Sequence, residues 1–146
     1  MRYLFLLLIY ISLQGAGFWT LSGLTKANIY VSNELSLIKP ETIESIKAKM
    51  TTSLEANGIV TGKQDSAILM VSLEEISDDE AYFIYVKLSL GEEVATFRDD
   101  KSKTFALTYD SSDFIETDDE ELDRDVLESI DGLLLEFFEL YEEDSE

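Results

Sequence analysis

Apolar and polar residues alternate along much of the chain after residue 27. Ile29, Val31, Leu35 and Leu37 fall on alternate positions of residues 28–38, with Asn33 out of step, which predicts a half-buried strand. Pro40 suits the first position of a helix, and Ile43, Ile46, Met50 and Leu54 follow at spacings of three and four until Asn57-Gly58 provides a stop. Ala67, Leu69, Val71 and Leu73 then alternate with Ile68, Met70, Ser72 and Glu74. After a turn at residues 77–79, Tyr82, Ile84, Val86, Leu88 and Leu90 alternate with Phe83, Tyr85, Lys87 and Ser89. The two runs predict a β-hairpin. Gly91 reads as a bulge within one long second strand, because residues 94–97 still look extended. Asp99 to Lys103 turns the chain into a last strand over residues 104–109, and residues 110–116 read as an acidic loop.

The last element is the clearest. Thr117-Asp118-Asp119-Glu120 has the form of a capping box. Leu122, Val126, Leu127, Ile130, Leu133, Leu134, Phe137, Phe138 and Tyr141 follow as one apolar stripe, with carboxylates opposite. Gly132 interrupts this helix and is read as allowing close approach to a strand. The order is β-α-β-β-β-α, an α+β fold with a mainly antiparallel four-stranded sheet and both helices packed on one face. It forms a single domain over residues 28–142, with an acidic, frayed tail at 143–146.

Residues 1–27 differ from the rest. Arg2 precedes an apolar run, Tyr3 to Leu13, of the length of a secretory h-region, and Gln14, Gly15, Ala16 and Gly17 follow. Thr25-Lys26-Ala27 offers a cleavage site, so the expected product is a periplasmic or secreted domain beginning at Asn28. The alternative is an uncleaved anchor in the inner membrane, because residues 3–24 carry no charge and about 20 such residues span a bilayer. Lipid attachment through cysteine is closed, since the chain has none.

Charge narrows the partners. The 146 residues hold 31 acidic and 11 basic side chains, a net charge of −20. A field of that sign repels nucleic-acid phosphates and anionic lipids and favours cations or basic protein surfaces. No nucleic-acid partner is expected, and contact with a membrane is expected only through an uncleaved residue 3–24 segment.

Chemistry is read mostly by subtraction. With no histidine and no cysteine, the usual neutral-pH base, the thiol nucleophile and nearly all zinc sites are removed. Ser36-Leu37-Ile38-Lys39 matches Ser-x-x-Lys, but Lys39 precedes Pro40, so the pair straddles a strand end instead of opening a helix. Carboxylates remain. A hydrolase would need two of them facing each other across roughly 5 to 10 Å, whereas Glu74-Glu75 and Glu92-Glu93 are strand neighbours that point to opposite faces. No cofactor is expected, and calcium is the alternative: Asp110, Asp113, Glu116, Asp118 and Glu121 lie within 12 residues and supply oxygen ligands. The EF-hand pattern fails there, with Phe114 and Ile115 at its fifth and sixth positions.

If both helices cover one face of the sheet, the other face carries Ile68, Met70, Phe83 and Tyr85, an apolar set suited to binding a partner. The expectation is a non-enzymatic binding or assembly domain of the cell envelope, with an unidentified protein partner. The alternatives are an acidic calcium-binding protein and, last, a carboxylate-only hydrolase.

Overall fold

The computed structural model describes residues 21–77 and 82–145. Residues 1–20 of the expected export signal, and most of the turn expected at residues 77–79, lie outside them. The elements are β1 (Ala27–Asn33), α1 (Pro40–Ala56), β2 (Ala67–Ser77), β3 (Tyr82–Ala95), β4 (Lys103–Glu116) and α2 (Leu122–Ser145). They form an α+β fold around one four-stranded sheet of order β1-β2-β3-β4. β1 runs parallel to β2 through the α1 crossover, and the β2-β3 and β3-β4 pairs are antiparallel.

The alternation predicts the buried face. Leu69, Val71 and Leu73 of β2 and Ile84, Val86, Leu88 and Leu90 of β3 point to one side. There they join Ile46, Met50 and Leu54 of α1 and Val126, Ile130, Leu133 and Phe137 of α2 in one core cluster. Both helices therefore lie on that side. Among the described residues no helix is long and apolar enough to cross a membrane.

Four boundaries differ from the sequence expectation. β1 ends at Asn33, four residues before Leu37, because the Asn33 side chain accepts the Leu35 N–H at 3.0 Å and folds the chain into a turn. Leu35 and Ile38 then enter the core, while Leu37 stays exposed. β4 does not stop at Tyr109: residues 110–116 are strand, paired with Phe83–Ser89. The capping role falls to Asp118 and not Thr117, in the turn that leads into α2. Asp118 Oδ1 accepts the N–H groups of Glu120 and Glu121, both at 3.0 Å, whereas the Thr117 hydroxyl donates to Asp125. Finally, α2 continues to Ser145 through most of the expected tail, where the Asp144 carboxylate accepts the Leu21 N–H at 2.6 Å.

That last bond marks the start of the fold. Leu21, Leu24 and Ala27 are 1%, 6% and 0% exposed and belong to the core cluster. The Tyr141 hydroxyl donates to the Leu24 carbonyl at 3.2 Å, and Thr25 and Ala27 exchange backbone bonds with Val60. The boundary expected at Asn28 thus falls inside the domain. Burying each leucine contributes about 2 kcal/mol, so residues 21–27 are part of what holds the fold together.

Gly91 leaves β3 continuous, as expected. The register shifts there: Leu90 faces Tyr109 and Gly91 faces Leu107, which leaves Thr108 as the extra residue on β4. Its hydroxyl donates to Glu92 at 2.5 Å.

Candidate functional site

The face of the sheet opposite the helices is laid out by the register. Its rows across the strands are Asn28-Ile68-Gly91-Leu107, Tyr30-Met70-Ser89-Asp110, Ser32-Ser72-Lys87-Ser112, Glu74-Tyr85-Phe114 and Ile76-Phe83-Glu116. Ile68, Met70, Phe83 and Tyr85 all lie on this face, each half-buried. They do not form one patch. Ile68 and Met70 sit at one end with Tyr30 and Leu107, and Phe83 and Tyr85 sit at the other with Ile76 and Phe114. The serine row with Lys87 crosses between them, and Lys87 Nζ lies 3.5 Å from the Asp110 carboxylate.

The most exposed apolar groups of the face are side chains the sequence reading left out. Phe114 is 63% exposed, Tyr30 57% and Phe105 56%, with Ile76 and Leu107 close behind. Tyr85 and Phe114 stack with ring centroids 4.7 Å apart at 35°. The Phe105 ring covers Gly91, where an added Cβ would collide with it. An aromatic pair at one end and separate apolar side chains at the other therefore flank a polar band on a surface that regular strands hold in place. Phe105 and Leu107 alternate in sequence with Tyr109, which lies in the core, so only the extra residue Thr108 shows that they face the other way; Phe114 was hidden by reading residues 110–116 as loop.

The five carboxylates considered for calcium are dispersed. Asp110 pairs with Lys87 on the open face, whereas Asp113 points to the helix side and accepts the Ser129 hydroxyl at 2.9 Å. Asp118 caps the turn into α2, and Glu121 lies 3.0 Å from Arg124. Among the described residues no three acidic side chains are grouped so that they could hold a metal ion.

A groove of about 480 Å³ runs along the outer edge of β4 beside α2. Asp113, Glu116, Asp125, Glu128 and Glu136 line it. Three of these carboxylates already accept bonds, Asp113 from Ser129, Asp125 from Thr117 and Arg124, and Glu136 from Ser111. Bonds from the Thr117 hydroxyl and then from Arg124 hold the Asp125 carboxyl below its ordinary value, the reverse of what a general acid needs.

No protein-family model and no curated protein matches the chain. Among solved structures it is similar to a dodecamer of a PelC point variant from Paraburkholderia phytofirmans, at 17% identity and a TM-score of 0.46 over 79% of this chain and 87% of that one. Similarity at that level does not carry functional residues from one chain to the other.

Proposed function

We propose that the chain is a non-catalytic binding domain of the bacterial cell envelope, acting outside the cytoplasm, that docks a partner protein on the open face of its sheet. The observation that carries this reading is the set of large apolar side chains, Tyr30, Ile76, Phe105, Leu107 and Phe114, exposed on that face. Apolar surface of this kind on a rigid element commonly marks an interface, and aromatic anchors dominate interface energetics. Charge sets the partner's chemistry. Glu74, Asp110 and Glu116 are spread over the face, with Lys87 as its central cation and Glu93 paired to Lys103 beyond one end. The complementary surface is apolar at its contact points, with lysine or arginine around them. Export is supported by Arg2 and the Tyr3–Leu13 run. Non-catalysis is supported by a chain without histidine or cysteine, in which Asp118 caps the turn into α2 and Asp123 and Glu121 pair with Lys39 and Arg124.

The test replaces Phe105 and Phe114 by serine and, as a control, Leu37 and Phe97, which are exposed elsewhere. Co-purification from the native cell envelope should lose its partner with the first pair and keep it with the second, while both proteins remain folded and melt cooperatively. Retention by both variants would exclude the open face.

A further inference from the structure

The start of the fold bears on how the chain is processed. A signal peptidase needs small residues at the last position before its cut and two places earlier. Thr25-Lys26-Ala27 meets the residue requirement, but a cut there would take from the mature domain residues that its fold uses. Ala27 is fully buried as the first residue of β1, paired with Ala67, and its N–H donates to the Val60 carbonyl. Val60 in turn donates to the Thr25 carbonyl. A cut after Ala27 would also remove the buried Leu21 and Leu24, which Asp144 and Tyr141 of α2 bind through the backbone.

We propose that the processing site is the small-residue run Gly15-Ala16-Gly17, cut after Gly17, and that Ala27 is a structural residue of the mature domain. Gly17 with Gly15 two places before it supplies the two small positions, and both follow directly on the apolar run that ends at Leu13. A cut after Ala16 would place Gln14 at the earlier position, so Gly17 is the better match. The mature chain then begins at Phe18 and keeps Trp19, the sole tryptophan, ahead of Leu21. This assignment rests on the export part of the proposed function and is independent of the open face.

The experiment is an intact mass of the protein made from the full-length chain, taken separately from periplasmic, membrane and cytoplasmic fractions. A periplasmic product with the mass of residues 18–146 and with tryptophan fluorescence is expected. In the same cells Gly17→Arg should leave the precursor uncut, and Thr25→Arg should be processed at the parent position. A tryptophan-free product beginning at any residue from 20 to 28, or loss of processing in Thr25→Arg, would overturn the assignment. An uncut chain in the membrane fraction would also overturn it while leaving the extracytoplasmic location standing. An uncut chain confined to the cytoplasm would instead defeat the export reading.

Discussion

The ring of Phe105 occupies the space in which residue 91 would carry a side chain. A Cβ built on Gly91 overlaps Cζ and Cε1 of that ring, and the glycine itself pairs with Ile68 on one side and Leu107 on the other. Gly91 has no left-handed backbone angle, so the ring, and not the main chain, is what excludes a larger residue. Glycine is otherwise a poor strand residue, and covering it with a cross-strand aromatic is a known remedy.

A double-mutant cycle follows from that contact. Gly91→Ala alone should be near neutral or cost up to about 1 kcal/mol, since the ring must swing off the sheet but is already half exposed. In a Phe105→Ala background the same change should stabilise by about 0.5 kcal/mol, because the strand propensity of alanine is then gained without a collision. Urea denaturation of the four proteins measures the coupling. Equal effects of Gly91→Ala in the two backgrounds would mean that the ring is not held over the glycine.

Asp123 joins the two helices. From the first turn of α2 it accepts the Thr42 hydroxyl at 2.5 Å, the Lys39 N–H at 3.1 Å and the Lys39 ammonium at 2.9 Å, which places a carboxylate at the N-terminus of α1. Burial pushes its carboxyl up, but the bonds from Thr42 and Lys39 outweigh burial and leave it below the ordinary value. A depressed carboxylate contributes stability that is present above its unfolded pKa, about 3.9, and lost as pH falls through the folded one. Asp123→Asn should therefore cost about 1 to 2 kcal/mol at pH 7, mostly through the hydrogen bonds, as Lys39 is exposed. The gap to the parent should close below about pH 4. Thermal melts of both proteins across that range decide it, and a gap independent of pH would remove the charge from the explanation.

Much of the architecture was legible because it depends on local pattern. Pro40 starts α1, Gly58 stops it with a φ of +76°, and the β2 and β3 alternation sorts core from surface. What stayed hidden depends on tertiary partners. Ser111 and Asp113 face inward on β4, where apolar residues would ordinarily mark a strand. They can do so because the Glu136 carboxylate accepts the Ser111 hydroxyl and Asp113 accepts that of Ser129. Leu21, Leu24 and Ala27 recur at a spacing of three and read as the end of an apolar leader, and only the contacts with α2 and Val60 show that they belong to the fold. The same limit applies to the candidate site. Parity alone places Ile68, Met70, Phe83 and Tyr85 on one face, but the Lys87 band that divides them is fixed by strand register.

Gly132 is not explained by close packing. A Cβ added there meets nothing within 4 Å, and the residue is exposed over the groove beside β4. Gly132→Ala should accordingly raise stability by up to about 1 kcal/mol, the helix-propensity difference between the two residues. Chemical denaturation checks this directly. A loss of stability would show that α2 comes nearer to a neighbour at this point than its position over the groove implies.

The excess of carboxylates should make stability depend on salt. Thirty-one acidic residues face 11 basic ones, and of the basic side chains Lys39, Lys47, Lys49, Lys87, Lys103 and Arg124 are already in ion pairs. The uncompensated charge repels itself in the compact state. Sodium chloride shortens the reach of that repulsion from about 30 Å at 0.01 M to 3 Å at 1 M, and should raise the melting temperature by about 4 °C for each kcal/mol regained. Calcium chloride at matched ionic strength should do much the same, because among the described residues no group of acids is arranged to hold a metal ion. The two salts are compared in thermal melts, with calorimetric titration of calcium alongside. A saturable calcium heat at one ion per chain, with a stabilisation that sodium cannot reproduce, would place a site where dispersed carboxylates provide none.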